Sequence, residues 1–238
     1  MARFKVYSGA SGTVNSTLIE VGEQGLILVD TQASEEEGRQ VLNQIGDRQL
    51  QFVFNTHEHF DHLGGNALFR CQIISSTAAR DAMLQAGMTK GLPNCYFGQQ
   101  LRLHICGEEV RLQLFGGHSP GSAVMYLPKR RLLLVGDLVF NGRAPWMGQA
   151  DFPTWIAALT ELSTWDVDTV IPGHGPVGGK EILLDQRQFL ENFVADVQEW
   201  KRAGKGEEEM MQLAANKYAV KAGWHNMLRI AFKRVSEI

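Results

Sequence analysis

Phe52-Val53-Phe54-Asn55-Thr56-His57-Glu58-His59-Phe60-Asp61-His62 constrains this chain more than any other stretch. Its first half is short, aromatic and β-branched, which predicts a buried strand over 52–56. The polar cluster then falls at the strand's exit, where rigid backbone hands over to loop. Side chains two apart in an extended chain share a face, so His57, His59 and Asp61 can point one way while His62 leans another. Imidazole and carboxylate together suit Zn²⁺, Fe or Mn. Three of the chain's seven histidines fall in this stretch. It reads as a metal site.

The pattern around it alternates strand and helix. Residues 4–7, 17–22 and 25–30 read as strands, with Gly22-Glu23-Gln24-Gly25 as a turn and Ser8-Gly9-Ala10-Ser11-Gly12 as a flexible loop. Ser34 and Glu37 have capping-box spacing before a helix that carries Val41, Leu42 and Ile45 on one face. Gly64-Gly65-Asn66 breaks the chain after the histidine cluster, Cys71–Ser75 is a further strand, and Thr77 is placed to cap a helix to about residue 86. Such an order predicts an α/β fold. Residues 87–99 read as a loop carrying Tyr96 and Phe97, followed by strands at 101–105, 110–115, 123–126 and 131–135. A helix over 154–163, a strand over 169–171 and helices over 180–203, 207–217 and 224–235 complete the chain.

Strand ends recur as the place for ligand-type residues. Gly116-Gly117-His118-Ser119-Pro120-Gly121 follows one strand, Gly136-Asp137 a second, and Pro172-Gly173-His174-Gly175-Pro176 a third. His104 in an alternating strand and His225 in a C-terminal helix read as structural.

Composition limits the partners. The 238 residues carry a net charge of −3 with no block of like charge, which argues against a nucleic-acid surface. No apolar run approaches a membrane span, and the start lacks the apolar core of a signal peptide, so a cytoplasmic location is the default expectation; a trimmed chain would look the same. Cys71, Cys95 and Cys106 are odd in number and widely spaced, which predicts free thiols in a reducing compartment.

Taken together, Thr56-His57-Glu58-His59-Phe60-Asp61-His62, Gly117-His118-Ser119-Pro120-Gly121, Gly136-Asp137 and Pro172-Gly173-His174-Gly175 resemble the metallo-β-lactamase superfamily, over about residues 10–180. The resemblance implies an αβ/βα four-layer sandwich: two mixed sheets face to face, helices outside, and the site at one edge. The chain is then expected to be one domain, with its core at about 1–180 and a helical extension at about 181–238. By the same resemblance His57, His59 and His118 look like the ligands of a first metal, Asp61, His62 and His174 those of a second, and Asp137 the bridging carboxylate. An aspartate at 137 is similar to the glyoxalase II and lactonase branch rather than to the antibiotic-degrading zinc enzymes. Some flavodiiron relatives carry glutamate in place of the second histidine; here His59 is intact and Glu58, lying between ligand positions, is expected to point away. The tail lacks the extended basic substrate domain of a glutathione-thioester hydrolase, which weighs against that member.

Chemistry follows from such a set. Two dications, the carboxylates of Asp61 and Asp137 and a bridging hydroxide sum to about +1, a site that favours a developing oxyanion. The expected function is a dinuclear zinc hydrolase of a small ester, lactone, thioester or related molecule, with two Zn²⁺ per chain (Fe or Mn as alternatives) and the bridging hydroxide as nucleophile. Asp61 is expected to orient that hydroxide and shuttle its proton. Two other readings stand beside it: a non-haem iron oxidoreductase of the sulfur dioxygenase type, and β-lactam hydrolysis as a weak side activity. Tyr96, Phe97, Asn141 and Trp146 are candidate substrate contacts, from loops rich in aromatic and polar groups. Core packing or a contact between two copies of the chain explains Trp146 and Met147 equally well, so a homodimer is a further expectation.

Overall fold

Alternation along the strands sorts their side chains onto two faces, and those two faces build two separate cores. Strands β2 (Asn15–Val21), β3 (Gly25–Val29), β4 (Gln49–Phe54) and β5 (Gln72–Ser76) send Leu18, Leu26, Leu28, Val53 and Ile73 outward, where Val41 and Ile45 of helix α1 (Glu35–Ile45) cover them. Their neighbours Ile19, Ile27, Val29, Phe52, Phe54 and Ile74 point inward, against Val110, Leu112, Met125, Leu132, Leu134 and Ile171 of a second sheet. The computed structural model describes residues 3–9, 14–221 and 223–238. The part of the expected loop at 8–12 that follows Gly9 lies outside the described residues.

The first sheet runs β1 (Phe4–Ser8), β2, β3, β4, β5, β6 (Cys95–Phe97), antiparallel across β1–β3 and parallel from β3 to β6. The second consists of β7 (Gln100–Ile105), β8 (Glu108–Leu114), β9 (Ala123–Leu127), β10 (Leu132–Phe140) and β11 (Thr169–His174), in spatial order β11-β10-β9-β8-β7 with only β10 and β11 parallel. Helices α1 and α2 (Thr77–Gln85) flank the first sheet, and α3 (Phe152–Thr164) and α4 (Glu181–Arg202) flank the second. The result is the four-layer αβ/βα sandwich.

Three local expectations are corrected. Residues 95–97 form a strand rather than loop, pairing in parallel with β5 through Ile74↔Cys95 and Ser76↔Phe97. Three residues are too few for alternation to show in the sequence. Ser76, not Thr77, caps α2: its Oγ accepts from Ala79 N at 3.0 Å, while Thr77 Oγ1 donates to Phe97 O at 3.0 Å. Strand β10 runs on through Asp137 to Phe140, with register shifts on either side of Gly136 that let it bend past the site.

The C-terminal helices share the core beneath the second sheet. Leu183, Leu190, Phe193 and Val197 of α4 pack with Phe152, Trp155 and Leu159 of α3, and Met210, Met211, Met227 and Phe232 of α5 (Glu207–Tyr218) and α6 (His225–Val235) join the same cluster. Phe193 sits at its centre, stacked on Phe152 at 5.7 Å and Phe232 at 6.1 Å. No helix among the described residues is long and apolar enough to cross a membrane. Phe193→Ala removes a fully buried ring that ties α3, α4 and α6 together, and about 3–5 kcal/mol of stability is expected to go with it. Urea denaturation followed by circular dichroism measures the loss.

Candidate metal centre

At one edge of the sandwich the two sheets come close enough to touch through backbone. Ala123 N, opening β9, donates to Thr56 O at 2.8 Å, just past the end of β4. Gly136 lies against Thr56 so closely that an added Cβ would meet Thr56 Oγ1 at 2.5 Å, and its φ of +51° is one that few side chains tolerate. Gly173 is equally constrained, since a Cβ there would fall 2.0 Å from Asp137 Oδ1. These two glycines bring β4, β10 and β11 to a common point.

Seven side chains converge there. His57, His59, His118 and Asp137 each offer an atom within 4.8 Å of the others, and Asp61, His62 and His174 form a second such group. Asp137 lies between the two: Oδ1 is 3.1 Å from His62 Nε2, and Oδ2 is 3.2 Å from His174 Nε2, 3.4 Å from His118 Nε2 and 3.7 Å from His57 Nε2. Asp61 Oδ2 faces His174 Nε2 at 3.5 Å and His62 Nε2 at 3.8 Å. His59 Nδ1 and His118 Nε2 are 3.0 Å apart.

The remaining ring nitrogens fix the direction of the lone pairs. Asp30 accepts from Thr56 N and Thr56 Oγ1, each at 2.8 Å, and from His62 Nδ1 at 2.8 Å. With its own proton given to Asp30, the Thr56 hydroxyl accepts from His57 Nδ1 at 3.0 Å. His59 Nε2 pairs with Gln149 Oε1 at 2.8 Å. His57, His59 and His62 therefore each engage one ring nitrogen in this way and aim the other at the cluster, the arrangement that orients imidazole for a cation. His57 Nε2, His62 Nε2 and Asp137 Oδ1 are buried with no hydrogen-bond partner among the described residues. Donors buried, convergent and unsatisfied in this way fit a pair of metal ions.

Electrostatics agrees with that fit. Burial holds His57 well below the ordinary imidazole value, with the His62 ring adding to it, and burial brings His118 down to about 3. Both rings are neutral and available as ligands. Burial also opposes charge on His62, but Asp137 and Asp30 outweigh it and lift that ring well above the usual value. For Asp137 burial is again outweighed, here chiefly by His174 and His62, and the carboxyl is held well below its usual range.

A family model for the Metallo-beta-lactamase superfamily matches residues 10–73 and 112–174, the two stretches that carry all seven of these side chains. The chain belongs to the metallo-beta-lactamase superfamily. It is 24% identical over 189 residues to a Bacteroides fragilis protein named metallo-beta-lactamase type 2, covering 74% of this chain and 75% of that one. It is 26% identical over 160 residues to a Synechococcus sp. hydroxyacylglutathione hydrolase, covering 65% of this chain and 60% of the other. Among solved structures, a double mutant of a sec-alkyl sulfatase superposes with a TM-score of 0.74 at 17% identity, covering 100% of this chain and 49% of its own. This superfamily member is a metal-dependent hydrolase with a His/Asp cluster compatible with a dinuclear site.

Beside the superfamily's cluster lies a cavity of about 550 Å³, onto which His59, Asp61, Asp137 and His174 open. Trp146 lines it and packs edge-on to His59 at 5.0 Å. The other candidate contacts do not reach it. Phe97 is buried between the sheets, and Tyr96 is solvent-exposed with Arg80 over its ring at 4.5 Å, because β6 lies on the far side of β5 from the cluster. Asn141 turns back to donate to Pro176 O at 2.8 Å, bracing the bend after His174. Glu58 points away from the cluster and accepts from Ser119 Oγ at 3.0 Å and Gly121 N at 3.4 Å, which steadies the bend carrying His118. His104 and His225 are exposed and stand outside the cluster.

Sequence reasoning missed Asp30 and Gln149. Asp30 had a legible signal, a lone carboxylate closing the apolar run Leu26-Ile27-Leu28-Val29, and its φ of +57° marks a backbone held under constraint. Gln149 had none. Asp30→Ala, which strands Thr56 and His62, is expected to lower metal affinity by about 10–100-fold, measured by chelator competition. Gly173→Ala is expected to deplete bound metal by displacing Asp137, whereas Gly98→Ala, with no atom within 4 Å of its Cβ, is expected to retain it; elemental analysis of the purified variants compares them.

Proposed function

We propose that this chain hydrolyses a small ester, lactone or thioester with two zinc ions, one at His57, His59 and His118, the other at Asp61, His62 and His174, and with Asp137 between them. The observation that carries this reading is the position of Asp137, whose two oxygens face both histidine groups at 3.1–3.4 Å. When bound, such a pair of ions supplies a water acidified to near-neutral pKa and a Lewis acid for the scissile carbonyl. Asp61 stands at the cavity surface, a quarter exposed, and is placed to accept a proton from the attacking water and return it to the leaving group. Phe140, stacked on the His174 ring at 4.7 Å, and Trp146, against His59, hold those imidazoles in place and keep one side of the site dry.

The cavity is of a size that takes a small molecule, and the net charge of −3 suits neither nucleic acid nor an anionic membrane. The likeness to a hydroxyacylglutathione hydrolase supports including thioesters among the substrates tested.

Elemental analysis of the purified protein, followed by a panel of lactones, thioesters, phosphoesters and a chromogenic cephalosporin, decides between the readings. About two zinc per chain with acyl-bond hydrolysis is expected; one iron with oxygen consumption selects the oxidoreductase instead. Asp137→Ala is expected to lose metal and at least about 100-fold in kcat/KM together. Full activity with one ion or none rejects the mechanism.

A further inference from the structure

Charge around the cavity is divided in a telling way. Its two carboxylates, Asp61 and Asp137, both belong to the ligand cluster, while its two permanent cations, Arg143 and Lys221, both lie outside it. With the carboxylates committed to metal, the wall that meets a substrate is cationic. The rest of that wall is aromatic: Phe60, 79% exposed, Trp146 and Trp224.

Lys221 and Trp224 come from the segment between α5 and α6, far along the chain from every ligand. Lys221 Nζ rides over the Trp224 ring at 5.5 Å, and Trp224 is packed against the helical core beneath the second sheet. The cation is thus carried on an anchored ring, a placement that favours an anion beside an apolar body. We propose that Lys221 and Trp224 are the specificity-determining pair of this enzyme and select a substrate with an anionic group attached to an aromatic-sized apolar body. The inference deepens the hydrolase reading and rests on that site for its meaning, but binding alone tests it.

The test uses the zinc-loaded full chain and two probes without a hydrolysable bond, naphthalene-2-sulfonate and its neutral counterpart methyl 2-naphthyl sulfone, titrated by calorimetry. The wild type is expected to bind the sulfonate more tightly. Lys221→Glu, at an exposed position, is expected to cut the sulfonate-to-sulfone affinity ratio by about tenfold and leave the sulfone unchanged. Trp224→Ala is expected to weaken both probes by a similar factor. Equal binding of the two probes by the wild type, no binding of either, or a ratio that survives Lys221→Glu overturns the proposal. Neither result depends on turnover, so failure of the hydrolase reading shows separately, as a metal-loaded protein that cleaves nothing in the substrate panel.

Discussion

Asp137 keeps its charge where burial alone would remove it. A carboxylate in that position persists only if cations or strong donors surround it, and here the rings of His174 and His62 face its oxygens at 3.2 and 3.1 Å. Those rings come from two stretches of backbone, one following β4 of the first sheet and one closing β11 of the second, so the charge of one side chain depends on the two sheets meeting at this edge. Gly136 and Gly173 permit the approach, the Ala123–Thr56 hydrogen bond fixes its register, and Asp30 holds Thr56 and His62 in the orientation that the approach requires. The site is therefore a property of the sandwich: it exists only where the two sheets meet.

Much of this was legible beforehand, and for identifiable reasons. Strands β2, β3 and β4 showed as short apolar runs rich in β-branched or aromatic residues because each has one face on a helix and the other on the opposing sheet, and both faces are apolar. The helices announced themselves through caps such as Ser34 and through three- and four-residue apolar spacing along α4. The ligand positions stood out because histidine is scarce in this chain and kept falling beside glycine at strand ends.

What stayed hidden depends on contacts between distant parts of the chain. Strand β6 is defined by pairing with β5, not by any pattern within three residues. Tyr96 and Phe97 looked like pocket residues for want of that pairing, and Asn141 looked like one because nothing local shows that its amide turns to Pro176. Gln149 and Lys221 have no local mark at all, since a glutamine in a loop and a lysine in a tail read as solvated surface until the fold sets them beside a cavity. Asp30 is the intermediate case, a visible oddity in an apolar run whose purpose needs the partner strand.

The cavity walls and the ligands are drawn from largely different pieces of chain. The stretches at 57–62, 118, 137 and 174 hold the donors, while the loop around Trp146 and the segment around Trp224 supply the surfaces that meet a guest. Selectivity can then drift, or be redesigned, without disturbing reactivity. A polar tether between the two is the amide of Gln149, which reaches from the wall to the His59 ring; a designer who rewrites that loop freely has to spare this residue or supply another acceptor in its place.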